Sequence, residues 1–212
     1  MSNDIPDELL RMIEEGSSIL ECSSELSLGF RIQLHRGIEA LSKDLHPDAG
    51  YYRRAKIALA CAYKTLPIWE GCYDVDGTAR NILSLSIQCL AGEEPLEELK
   101  IQAERFETIV NNIMCSSEDN IVASYAGFSC LSAFETVVYD YDFSMEAKTE
   151  KDCTPECWDA CFNSSLAISG GATWESVVLN ESARKEFLLW YLKVALIETW
   201  PPLVAPGEIL EH

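Results

Sequence analysis

The sequence predicts an all-α protein, a single-domain bundle of about eight helices, and three observations carry that expectation. Apolar residues recur at spacings of three and four, the period of a helix with one buried face. Prolines and glycines punctuate these segments at intervals suited to helices with short connections. Strand signals are nearly absent: there is no Asn-Gly hairpin and no sustained alternation of β-branched residues. At 212 residues and 48% hydrophobic content, one sizeable core is the default. Residues 1–209 are read as one domain. The closing Leu210-Glu211-His212 resembles the start of a vector-encoded histidine tag and is set aside.

Taken in order, Pro6, Asp7 and Glu8 open a first helix with Leu9, Leu10, Ile13, Ile19 and Leu20 as its apolar side and Gly16 as a weak point; it ends near Ser24. A second carries Leu34, Ile38, Leu41 and Leu45 and stops at His46-Pro47. The third spans about Tyr51 to Leu66, with Pro67 ending or kinking it. A fourth, with Ile82, Leu83, Ile87 and Leu90, is closed by Gly92, and a fifth follows Pro95 with Leu96, Leu99, Ala103, Phe106, Val110 and Ile113 as its seam. After a break at Cys115 to Asn120, a sixth runs from Ile121 to about Tyr141 and presents Tyr125, Phe128, Leu131 and Val138.

The next element states its boundaries most clearly. Thr154 is a capping residue, Pro155 fits the first helical position, Glu156 suits the dipole, and Gly170-Gly171 is the stop. Between them Trp158, Cys161, Phe162, Ser165 and Ile168 form one face, with Asp159, Asn163 and Ser164 pointing elsewhere. The last helix starts near Asn180 and ends before Pro201-Pro202; it carries Phe187, Trp190, Tyr191 and Trp200. A short connection makes these two helices neighbours, with the Trp158 and Phe162 face expected against Phe187 and Tyr191.

The formal net charge of −19 argues against binding a nucleic-acid backbone or an anionic membrane, both of which need basic surface. The charge is uneven: Arg31 to Lys64 holds seven basic and three acidic residues, a net of +4, leaving −23 elsewhere. A basic protein partner suits that remainder, as does a solubilising role. No apolar run approaches the roughly 18 to 20 residues that span a bilayer, and the polar N-terminus is no signal peptide. Nine scattered cysteines, odd in number, read as free thiols at apolar helix positions in a reducing cytoplasm.

Templates for chemistry fail in turn. Cys153, Cys157 and Cys161 are spaced wrongly for a metal clip and lack a remote partner clip, so no metal or cofactor is expected. There is no phosphate loop, nucleophile elbow, H-E-x-x-H or Glu-x-x-His pair, and no catalytic residue is assigned. Gly170-Gly171 follows a helix instead of opening one, unlike a phosphate cradle. His46-Pro47-Asp48 is the tripeptide of J-domain cochaperones, which makes a helical cochaperone or adaptor the alternative function; a proline stop followed by an aspartate cap explains it locally.

Four pieces in this order, Tyr63 to Glu70 (Y-K-T-L-P-I-W-E), Val138 to Asp142 (V-Y-D-Y-D), Trp158 to Trp174 and Arg184 to Trp200, resemble the immunity-five family of bacterial polymorphic toxin systems. The similarity runs from about Ala55 to Pro202, and the first fifty residues match nothing. The resemblance implies a non-enzymatic cytoplasmic protein that binds and neutralises a cognate toxin, often a nuclease. Its motif residues here are Trp69, Glu70, Trp158, Phe162, Gly170, Gly171, Trp174, Phe187, Trp190 and Tyr191. On that reading the run from Asp140 to Asp159, with seven acids and two lysines, faces a basic toxin through Asp140, Asp142, Asp152, Glu156 and Asp159.

Overall fold

The computed structural model describes residues 5–43, 48–73, 77–117, 120–139, 159–175 and 178–200. Among these the chain forms eight α-helices and no strand: α1 (Asp7–Cys22), α2 (Leu28–Ser42), α3 (Ala49–Tyr73), α4 (Thr78–Leu90), α5 (Leu96–Ser116), α6 (Ile121–Tyr139), α7 (Ala160–Ser169) and α8 (Glu181–Trp190). α8 continues through a π-helical turn, Tyr191–Ala195, into a closing α-helical turn, Leu196–Glu198.

Helices α3, α6 and α7 pack mutually at the centre; α4 and α5 lie against α6, α2 against α3, and α8 against α7 and α1. One apolar core runs through all of them. The seam expected on α5 is buried at Leu99, Ala103, Phe106 and Val110, whereas Leu96 at its head is exposed. Asn180 caps α8 by accepting from the Ala183 N–H at 3.0 Å. α1 passes through Gly16 unbroken, because that position is a close approach: a Cβ there would stand 2.8 Å from the Phe30 ring and 2.9 Å from Leu192.

Three expectations about these elements fail for identifiable reasons. α3 does not end at Leu66; it runs through Pro67 to Tyr73. An internal proline costs about 3 kcal/mol, but Leu66 and Trp69 on either side are buried, and Trp69 packs edge-on to Phe106 at 5.0 Å. Burial of those two side chains offsets a cost of that size. α6 is, by length and composition, apolar enough to cross a bilayer, contrary to the sequence reading; 67% of its apolar window is buried within the fold, as suits the core helix it is.

The third is α7, which has no polar outer face. Asn163, Ser164, Ser165 and Ser169 are buried with Cys161 and Leu166, while Phe162 is only half-buried. Ser164 and the Asn163 amide nitrogen find partners on neighbouring helices, Ser165 and Ser169 bond to the Phe162 and Leu166 carbonyls of α7 itself, and the Asn163 carbonyl oxygen is buried without a partner. The Ser164 hydroxyl donates to the Cys61 carbonyl at 3.0 Å and lies 2.7 Å from the Ser129 hydroxyl, and the Asn163 amide donates to Ser132 at 3.0 Å. With such partners a buried hydroxyl costs little, and its small volume lets α3, α6 and α7 close together.

Three of the seven basic residues in the stretch of α2 and α3 are spent inside the protein. Arg31, Arg53 and Arg54 are each at most 3% exposed. Arg53 donates to Ser42 at 2.7 Å and to the Trp200 carbonyl at 3.0 Å, with its guanidinium 3.7 Å above the Trp200 ring, and burial pulls its pKa down to about 10. Arg54 pairs with Glu39.

Candidate docking face at the ends of helix α7

α7 begins at Ala160, not near Thr154. Its cap is Asp159, whose backbone is extended and whose side chain accepts from the Phe162 N–H at 2.7 Å. Thr154, Glu156 and Trp158, with Asp140, Asp142 and Asp152, lie outside the described residues. The other oxygen of Asp159 accepts from Arg31 Nε at 2.8 Å, while Arg31 Nη1 donates to the Leu26 carbonyl at 2.7 Å. Burial alone would raise the Asp159 pKa, but Arg31, His35 and the helix N–H together hold it below the ordinary carboxylate value. Asp159 is thus bound into the fold at the junction of α2 and α7 as a helix cap and ion-pair partner, and its side chain keeps 29% of its exposure.

One turn along, Phe162 lies between two buried charges. The Arg31 guanidinium sits 4.8 Å from its ring centroid, and Arg184 of α8 sits 5.9 Å away. Arg184, 3% exposed, pairs with Glu25 and donates to Ser165 at 3.3 Å. α7 and α8 are neighbours as their short connection implies. Tyr191 does approach α7, beside Cys161 and Asp159, and burial with those neighbours raises its pKa far above the ordinary phenol value. Its hydroxyl and His35 Nδ1 are both buried without a hydrogen-bond partner.

The far end of α7 is stopped as expected. Gly170 (φ 88°) and Gly171 (φ 140°) occupy backbone that favours glycine, and the Gly171 N–H returns to the Leu166 carbonyl at 2.9 Å. The loop that follows is tied down at three points. The Ala172 N–H donates to Glu175 Oε2 at 2.7 Å, buried Tyr125 donates to Glu175 Oε1 at 2.6 Å, and the Asn180 N–H donates to the Ser169 carbonyl at 2.8 Å. Within this loop the motif residue Trp174 is 59% exposed. Its indole stacks on Phe162 with ring centroids 6.4 Å apart and planes 20° from parallel, and its side chain hydrogen-bonds Tyr125.

The remaining motif residues hold the scaffold. Trp69 and Phe187 are core residues, Glu70 makes a two-pronged ion pair with Arg80 at 2.7 and 2.8 Å, and half-buried Trp190 has the Lys64 ammonium 5.0 Å over its ring. Sequence reading missed Arg31, Arg184, Tyr125 with Glu175, and Val178. The two arginines carried a signal: Leu28, Arg31, Leu34 and Ile38, and Arg184, Phe187, Leu188 and Tyr191, set each on an apolar helical stripe. Of the seven described cysteines, all free, only Cys61, Cys130 and Cys161 are buried; Cys22, Cys72 and Cys115 are exposed, unlike the core positions expected.

The assembly is a rigid aromatic and charged surface. His46 and Pro47 of the J-domain-like tripeptide lie outside the described residues. No curated protein matches the chain. The family model described as immunity protein Imm5 matches residues 13–198, which brings α2 and most of α1, unmatched in the sequence reading, into the same family domain. With most of its length matched, the chain belongs to the Imm5 family of immunity proteins.

Proposed function

We propose that this protein is the non-enzymatic inhibitor of a cognate bacterial toxin of a polymorphic toxin system, acting in the cytoplasm by covering the toxin's active or substrate-binding surface. The observation that carries this reading is the family match over residues 13–198. The electrostatics support a toxin with a basic cleft, such as a nuclease. The net charge is −19, and four arginines (31, 53, 54 and 184) are withdrawn into the interior, so the outer field is strongly negative. Such a field repels nucleic acid and anionic membranes, and it steers a cationic protein inward.

Asp140, Asp142, Asp152 and Glu156 are assigned to that steering. The test is co-expression of the toxin domain encoded beside this chain's gene, with and without the chain, followed by binding of the purified pair. Growth rescue and a stoichiometric complex whose toxin activity is blocked are expected. Replacing those four acids by Asn or Gln should slow association at low salt and flatten its ionic-strength dependence. A toxin that kills equally in the presence of the chain refutes the reading.

A further inference from the structure

We infer that the seam between α3 and the continuation of α8 is a docking surface of opposite sign to the rest of the protein, in which Lys56, Lys64 and Lys193 take an acidic segment of the toxin polypeptide. The inference rests on the toxin-binding reading above and names the contact that sets which way round the toxin sits.

Two cation–π contacts fix the seam. The Lys64 ammonium lies 5.0 Å over the Trp190 ring, and the Arg53 guanidinium lies 3.7 Å over the Trp200 ring. Lys64 follows Arg53 on α3 whereas Trp190 precedes Trp200, so the two segments run antiparallel, and Ala60, between the two contacts, falls opposite the π-helical turn that carries Lys193. Lys56 and Lys64 stand one turn to either side of Ala60 on α3. Lys64 and Lys193 are exposed, while Lys56, Ala60, Trp190 and Val194 are half-buried, so apolar surface accompanies the three ammonium groups. Trp190 is held between Lys64 and the Phe187 ring, whose centroid is 5.5 Å away, and this edge of the seam is therefore ordered before a partner arrives.

Charge selects the occupant. Three buried arginines are compensated, Arg31 by Asp159, Arg54 by Glu39 and Arg184 by Glu25, and exposed cations such as Arg11 and Arg80 sit against Glu8 and Glu70. The seam is different. Among the described residues no carboxylate pairs with Arg53, Lys56, Lys64 or Lys193. Burial pulls the Arg53 pKa down to about 10, and burial together with Arg53 lowers that of Lys56, the mark of positive charge without an opposite charge beside it. A second copy of this chain carries the same net charge of −19 and is repelled, as is a nucleic-acid backbone, for which three lysines neutralise few phosphates. A toxin that offers its basic cleft to the acids and an acidic segment to this seam meets a complement at both, and only in one orientation.

The experiment titrates the full chain with a catalytically inactive form of the toxin domain encoded beside its gene. The sign of the effect decides. Each Lys→Glu change makes the protein more acidic, which strengthens attraction to a basic toxin everywhere except where an acidic segment docks. Lys64→Glu and Lys193→Glu, both at exposed positions, should each weaken the dissociation constant by about tenfold or more. Lys193→Arg should stay within about twofold of the parent, and Arg105→Glu, the same charge change at an exposed position on α5, should bind as tightly as the parent or more so. If the parent binds while Lys64→Glu and Lys193→Glu bind equally well or better, the inference falls and the immunity reading stands. It falls too if Arg105→Glu weakens binding as much as they do, if the parent alone retards a single-stranded oligonucleotide and Lys193→Glu does not, or if the parent sediments as a dimer that Lys193→Glu dissociates. If the parent does not bind the toxin, both readings fall together.

Discussion

Removal of the Asp159 side chain separates a structural charge from a docking charge. Asp159→Ala deletes a helix cap, worth about 1 kcal/mol, and strands Arg31, whose side chain is 4% exposed and keeps the Leu26 carbonyl as a partner. Breaking a buried pair from one side costs about 3 to 5 kcal/mol. Because Asp159 retains 29% exposure, water can partly replace it, and the lower end applies. A total near 3 to 4 kcal/mol results, a large share of the roughly 5 to 15 kcal/mol that holds a domain together. Asp159→Asn keeps a competent cap and loses only the charge, so about 2 kcal/mol is expected. Arg31→Met removes the buried cation, keeps most of its packing and leaves a carboxylate that water reaches, so it should cost less than Asp159→Ala.

Urea unfolding at pH 7 with unchanged m-values measures all three. The acid limb adds a second reading. The folded Asp159 carboxyl titrates below its ordinary value, so its contribution is complete above about pH 4 and is lost as the pH falls further. The stability gap between parent and Asp159→Asn should therefore close on acidification below pH 4. If Asp159→Ala and Asp159→Asn both cost less than about 0.5 kcal/mol while slowing toxin association, the ion pair is idle in the fold and Asp159 is a steering charge after all.

Three further perturbations follow, two in the interior and one on the exposed side of α3. Burial holds His35 down to about 4, opposed by Asp159 and aided by Arg54 and Arg31, so the unfolded chain takes its proton first. Stability should fall by about 3 kcal/mol between pH 6.5 and 4, and His35→Gln should flatten that limb in urea titrations at pH 7, 5 and 4; equal slopes in the two proteins would exclude His35 as the cause. Gly127→Ala puts a Cβ 2.7 Å from Val110 and 2.8 Å from Trp69, so overpacking should cost about 1 to 3 kcal/mol and alter the near-ultraviolet signal of Trp69. Gly71→Ala, in the last turns of α3 with nothing within 4 Å, should instead stabilise by about 0.5 to 1 kcal/mol in thermal melts.

The elements legible in the sequence are those whose burial is apolar. The α5 stripe, the Gly92 and Gly170-Gly171 stops and the Asn180 cap could be read because hydrophobic period and special backbone each leave a residue-level mark. α7 could not be read, since the period test assumes that polar means outward. Ser164 and Asn163 pass inward by bonding to Cys61, Ser129 and Ser132, residues remote in sequence, and only the assembled helices supply those partners. The same blindness hid Arg31 and Arg184, which sit on apolar stripes and count as surface charge in any sum along the chain. It also misassigned Trp174, whose place outside the core is fixed by Tyr125 from one helix and Phe162 from another. Both errors have one physical origin: a polar group that finds its partner inside the fold leaves no periodic mark of that burial in the sequence, and a ring held at the surface by such groups leaves none of its exposure.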